Sequence, residues 1–167
     1  MRNSLFLILL CLLLCGCGTT APTDTSAPTS TEPENLMIGN PWVSYDSMEE
    51  AEEAVGFDFT LPETVAGSYQ AESFRVMAGT LMEVVYRDDA FLVTVRQQPG
   101  EGQDISGDYR TYDSIAVTET DKATITFKSN GTEWLHLISC NGYSYSMYAP
   151  NKFWGDSCND FTTLLTQ

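Results

Sequence analysis

The chain has 167 residues, with 8 basic and 23 acidic side chains and a formal charge of −15. That length allows one domain of ordinary size and no more. The charge excludes phosphate backbones and anionic lipid headgroups as partners, because counterion release needs clustered Lys and Arg.

The chain opens on Arg2, an apolar run from Leu5 to Leu14 and the small residue Gly16, the order a secretory signal requires. The run is too short for the ~20 residues of a membrane-spanning helix. Leu14-Cys15-Gly16-Cys17 resembles the bacterial lipoprotein box, in which the cysteine after a small residue takes a diacylglyceryl group and becomes the new N-terminus. That resemblance makes Cys17 the lipid-bearing residue, Cys15 being the poorer candidate because the large Leu14 precedes it. Losing Arg2 with the signal leaves 7 basic against 23 acidic side chains, a net charge of −16. Residues 18 to 35 hold 11 Ser, Thr or Pro and no aromatic, so they cannot bury enough apolar area to offset their ordering entropy. The expected division is a signal over 1–16, a lipid-anchored disordered tether over 17–39 and one folded domain over 40–167. The expected location is the outer face of a bacterial cytoplasmic membrane.

Within the domain, Ser47 and Glu50 form a capping box, and Met48, Ala51, Ala54 and Val55 make one apolar stripe closed by Gly56. This predicts a helix of about 9 residues whose glutamates face water or the positive helix end. Phe57, Phe59 and Leu61 alternate with polar residues up to Pro62, an extended apolar strip leading toward a sheet. From Tyr69 onward the period is 2. It predicts strands near 69–77, 80–87, 90–97, 112–119, 122–128, 133–140 and 143–149, in an antiparallel meander. Asn130-Gly131 and Asn141-Gly142 are hairpin turns. As two-residue loops they pair Phe127 with Trp134, Ile125 with His136, Cys140 with Tyr143, and His136 with Met147. One face then collects Ile125, Phe127, Trp134, His136, Ile138, Cys140, Tyr143, Tyr145 and Met147. The other carries mainly Ser and Thr and is mostly wet.

Gly155 to Gln167 reads as a second helix, with Trp154, Cys158, Phe161 and Leu165 at helical spacing and Asp156 or Ser157 as cap. The fold class is therefore α+β: a curved antiparallel meander of about seven strands with an N-terminal and a C-terminal helix on one face. Seven strands at ~4.8 Å span about 34 Å, and two helices cover about 20 Å. Either the sheet curls and Phe57 to Leu61 close the gap, or an apolar groove remains, walled by Trp134, Tyr143, Tyr145 and Met147.

Asn40 to Ser47, Glu49-Glu50-Ala51, Val55-Gly56-Phe57, Leu61-Pro62, Glu83 to Tyr86, Asp104 to Tyr109 and Tyr143 to Ser146 together resemble a domain family of Gram-positive bacteria. The family occurs in exported lipoproteins and as the extracellular end of anti-sigma-factor-like membrane proteins. It is one of unknown function, so the resemblance implies no catalytic residues.

Candidate chemistry is sparse. His136, the single histidine, shares its strand face with Cys140, but about 13 Å away at ~3.3 Å per residue, too far for a nucleophile and base; a packed core histidine is the plainer reading. Cys140 and Cys158 are the thiols left once the signal is removed and Cys17 is lipidated. An even pair in an exported chain favours a disulfide, closing a loop of about 17 residues worth roughly 3 kcal/mol. Against it, Cys140 lies at the far end of its strand from Ala149, so the chain must travel back before the helix begins. The loop from Gly100 to Tyr109 holds Glu101, Asp104 and Asp108, a weak cation site at most, since calcium-loop spacing is missing. The alternative has Asp104, Ser106 and Asp108 bonding nearby amides around a positive-φ Gly107. No cofactor motif is present. The expectation is a monomeric, non-enzymatic envelope module that binds a protein, peptide or apolar ligand. The alternatives are a purely structural acidic surface domain and, third, a hydrolase.

Overall fold

The computed structural model describes residues 40–89, 91–150 and 156–167. The expected signal, Cys17, the tether and Trp154 lie outside them. The elements are β1 (Trp42–Tyr45), α1 (Met48–Val55), β2 (Thr64–Val65), β3 (Tyr69–Met77), β4 (Leu81–Arg87), β5 (Leu92–Pro99), β6 (Ser114–Glu119), β7 (Ala123–Ser129), β8 (Glu133–Cys140), β9 (Tyr143–Pro150) and α2 (Asp156–Leu165). None of the described helices is long and apolar enough to cross a membrane.

Helix α1 forms as its sequence dictates. Ser47 Oγ accepts from the Glu50 amide at 3.2 Å, and Gly56, at φ 76°, closes the helix by donating to the Glu52 carbonyl. Glu50 reaches back one residue further than a capping box does, to the Asp46 amide. Met48 and Ala51 are the buried stripe. Glu52 turns from water to accept from the Phe59 amide at 2.8 Å, fastening the segment after the helix. In α2, Asp156 and Ser157 already belong to the helix, so neither is the cap before it.

The sheet is antiparallel throughout, with strand order β1-β3-β4-β5-β9-β8-β7-β6 and β2 paired to the start of β3. Nine strands replace the expected seven, because the short β1 and β2 also pair with β3. The single meander is a second correction. Strand β5 pairs with β9, so two meanders, β3-β4-β5 and β6 to β9, join in the middle of the sheet. Residues 100–113 therefore carry the chain from the sheet's centre to its edge. That is four strand spacings, about 19 Å at ~4.8 Å each, beyond the reach of a hairpin turn.

Cys140 pairs with Tyr143 as the Asn141-Gly142 turn requires. The Asn130-Gly131 turn is looser: Ser129 pairs with Trp134 and Phe127 with His136, so β8 is shifted by two residues from the two-residue-loop register. Asn130 makes the wider loop by accepting at Oδ1 from the amides of Thr132 and Glu133. A shift of two leaves every side chain on its own face, where a shift of one would invert them all.

On the helix face, Val84, Tyr86, Val93, Val95, Ile138, Tyr145 and Met147 form one core with Met48, Ala51, Phe161 and Leu165. Phe161 packs edge-on to Tyr69 and Tyr86 with centroids 5.6 and 5.4 Å away. The strip after α1 is irregular backbone, yet it closes the core: Phe59 and Leu61 are buried. Two of its backbone polar groups are satisfied by the buried Gln97, which donates to the Asp58 carbonyl and accepts from the Thr60 amide. The opposite face is not simply wet. Residues 100–113 form a strap across it, and beneath the strap Leu135, Ser144 and Ser146 are buried.

Candidate functional site

The strap face carries a cleft of about 370 Å³, lined by Arg75, Glu83, Thr94, Arg96, Ser106, Gly107, Asp108, Arg110, Leu135, Ser146 and Tyr148. Its floor comes from three neighbouring strands. A two-residue turn at Ala78-Gly79 would pair Met77 with Thr80; the wider loop pairs Met77 with Leu81 instead and sets Arg75 opposite Glu83. Glu83 in turn lies opposite Arg96 on β5. Glu83 is 1% exposed, a position a carboxylate tolerates only when its oxygens are paired. Its Oε1 accepts from Arg75 Nε at 2.9 Å and also from Arg75 Nη2, and its Oε2 accepts from Arg96 Nε at 2.8 Å. Both guanidiniums also flank the Trp42 ring of β1, with Cζ 5.2 and 5.1 Å from the ring centroid, inside the range of cation–π attraction.

The strap forms the wall. Asp104, Ser106, Asp108 and Arg110 make an i to i+2 ladder: Asp104 Oδ1 accepts from the Ser106 amide, Ser106 Oγ from the Asp108 amide and Asp108 Oδ1 from the Arg110 amide. This local bonding satisfies the amides of a segment that joins neither helix nor sheet. Arg96 Nη1 pins it by donating to the carbonyls of Ile105 and Ser106. Gly107 is required here. Its φ is 62°, and a Cβ would lie 2.9 Å from Arg96 Nη1. Lower down, the Gly102 amide donates to Ser139 Oγ and the Gln103 amide to Ser144 Oγ.

Arg110 completes the cleft. It donates to both oxygens of Asp108 and ion-pairs with Glu133, and its Cζ lies 4.8 Å from the Tyr148 ring. The Arg110 hydrogen bonds, reinforced by Tyr112, hold the Asp108 carboxyl far below the ordinary carboxylate range despite some burial. Burial and the hydrogen bond to Asp108 push Tyr112 up to about 12. Tyr148, donating to Glu133 at 2.7 Å, helps hold that carboxyl low as well.

The cation-loop residues are not brought together. Glu101 accepts from the Gly142 amide at 2.7 Å, Asp104 from Ser106 and from Lys128 Nζ at 2.8 Å, and Asp108 from Arg110 and Tyr112. Each carboxylate is a fastening of the strap, and among the described residues no cluster of three metal-ligating side chains occurs. The amide-bonding alternative with a positive-φ Gly107 is the arrangement seen.

Cys140 and Cys158 are both buried free thiols, which corrects the expected disulfide. Cys140 Sγ donates to the Leu165 carbonyl at 3.1 Å, at the C-terminal end of α2. Cys158 is seven residues earlier, about 10 Å up the helix at ~1.5 Å per residue, and a disulfide needs Cα atoms within about 7 Å. Burial pushes the Cys158 thiol up to about 12 and raises that of Cys140.

The apolar groove is corrected too. Tyr145 and Met147 are 1% and 2% exposed, inside the core, and the Tyr145 hydroxyl lies 3.0 Å from Thr60 Oγ1 in the strip that closes it. Tyr143 is half-buried against Phe57, and Trp134 against Phe127, with centroids 5.5 and 4.7 Å apart. His136 packs on the helix face edge-on to Phe127, and burial pushes its imidazole down to about 4. It is on the opposite side of the sheet from the cleft.

No local motif marks Arg75, Arg96 or Arg110 as site residues. The available signal was scarcity: residues 40–167 contain four arginines, and three of them line this one cleft. No family model, no curated protein and no solved structure matches the chain.

Proposed function

We propose that this chain is a lipid-anchored, non-enzymatic binding module of the outer face of a Gram-positive cytoplasmic membrane, and that it holds a small polar ligand in the arginine-lined cleft. The observation that carries the reading is the gathering of Arg75, Arg96 and Arg110 around one recess in a protein of charge −15. Ordinary solvation would scatter so few cations. Their convergence on a concave site of the size that takes small ligands is what recognition of a polar group requires. The lipoprotein box at Cys17 and the resemblance to exported Gram-positive domains support the location.

The closed core withdraws the apolar ligand, since the face that would hold it is filled by α1, α2 and the strip over residues 57–61. The cleft's chemistry supports binding over reaction. Asp108 and Glu133 are held as ion-pair partners of Arg110 and Glu83 as that of Arg75 and Arg96, and Ser146 faces away from the side of the sheet that carries His136, so the histidine does not serve it as a base.

Cross-linking in intact cells tests the reading. A photoreactive residue at Tyr109, 97% exposed and between two cleft residues, captures an envelope component, and one at Glu53 on α1 does not. Absence of a reproducible adduct specific to position 109 refutes the proposal.

A further inference from the structure

The floor of the cleft is unbalanced in charge. Arg75 and Arg96 share one carboxylate, Glu83, each spending its Nε edge on it. Arg96 Nη1 goes to two strap carbonyls, which leaves Arg96 Nη2 and Arg75 Nη1 without a hydrogen bond among the described residues. Two guanidiniums against one carboxylate leave a surplus of one positive charge. Their side chains keep 35% and 19% of their exposure, while Glu83 beneath them keeps 1%. The lining as a whole keeps the same surplus of one, three arginines against Glu83 and Asp108, because Glu133, the second partner of Arg110, lies outside it.

From this arrangement we infer that the cleft recognises a monoanionic carboxylate, received across Arg75 and Arg96, with Glu83 as the positioning residue that holds the two guanidiniums side by side against Trp42. The inference rests on the binding-module reading and names its ligand class. A carboxylate fits for two physical reasons. Its two oxygens match guanidinium N–H groups in a plane, and its single charge equals the surplus. A phosphate dianion exceeds that surplus by one charge, and a polyanion meets the field of a strongly acidic surface before it reaches the site. The rest of a small ligand then meets Thr94, Ser146 and Tyr148, which line the same recess.

The test titrates the full chain with sodium propionate, read by NMR at the Arg75 and Arg96 Nε–H and Trp42 Nε1–H resonances, with sodium chloride and inorganic phosphate at matched ionic strength as the other arms. Saturable shifts with propionate, absent with chloride and weaker with phosphate, are expected. Arg96→Gln weakens propionate binding at least tenfold. Arg75→Gln, a more exposed position with bonds to Glu83 alone, does the same and serves where Arg96→Gln disturbs the strap. Arg87→Gln, which lies outside the cleft, leaves binding unchanged. The inference is overturned by shifts no different from chloride, by tighter binding of phosphate, by unaltered binding in the Arg75 and Arg96 variants, or by equal loss in Arg87→Gln. A propionate failure with a specific adduct still formed at Tyr109 removes the carboxylate and leaves the binding module; loss of both removes the module.

Discussion

His136 gives the sharpest physical test of the fold. It is 8% exposed on β8, and burial pushes its imidazole from 6.5 down to about 4. The folded value lies below the unfolded one, so the unfolded chain binds a proton first as pH falls. Above pH 6.5 the ring is neutral in both states and stability does not depend on it. Between 6.5 and 4 each pH unit removes about 1.4 kcal/mol, for a total of about 3 kcal/mol. From pH 7 to pH 5 the loss is about 2 kcal/mol by the same relation. Urea denaturation followed by tryptophan fluorescence measures it, in the parent chain and in His136→Leu, at pH 7, 6 and 5. The variant changes packing by an offset independent of pH. Asp104, Asp108 and Glu133, whose carboxyls are held low and lose their contribution only in stronger acid, are common to both proteins. Stability curves that run parallel between pH 7 and 5 would refute the reasoning, because His136 would then titrate alike in the folded and unfolded chains.

Glu83→Ala leaves two partly buried guanidiniums without their shared carboxylate and should cost about 3–5 kcal/mol in chemical denaturation, with Glu83→Gln costing less. Gly107→Ala combines a positive φ with a Cβ crowding Arg96, so a loss of about 1 kcal/mol or more is expected, together with faster proteolysis of the strap; an unchanged midpoint contradicts the close approach. Phe161→Ala removes the ring between Tyr69 and Tyr86 and should lower stability by about 3–5 kcal/mol. Alkylation without reduction should recover Cys140 and Cys158 as separate thiols that react only slowly while the protein is folded, and a linked peptide would show the bond that the geometry rejects.

Much of the fold was legible because its signals are local. Ser47, Glu50 and Gly56 specify α1 within a few residues, and period-2 alternation with Gly-containing turns marks the strands from Tyr69 on. Face assignment even survived a wrong register at Asn130-Gly131, since the slip was of two residues. The cleft was not legible. Its arginines lie on β3, β5 and the strap, and each looks like an ordinary solvated cation beside its sequence neighbours. The carboxylates of the strap mislead in the opposite sense: Glu101, Asp104 and Asp108 look like a cluster in sequence, but each finds its own donor, the Gly142 amide, Lys128 and Arg110.

What the sequence determined by itself is therefore the seven strands from Tyr69 onward, their two faces, the first helix and the acidic surface, all consequences of periodicity, capping and composition. Only the tertiary structure decided the order of the sheet, because a pairing such as β5 with β9 depends on two segments about 50 residues apart and leaves no local mark. From that one pairing the strap, the closed helix face and the arginine cleft all follow. The chain must cross from the sheet's centre to its edge, and in crossing it lays Asp108 and Arg110 beside Arg75, Glu83 and Arg96.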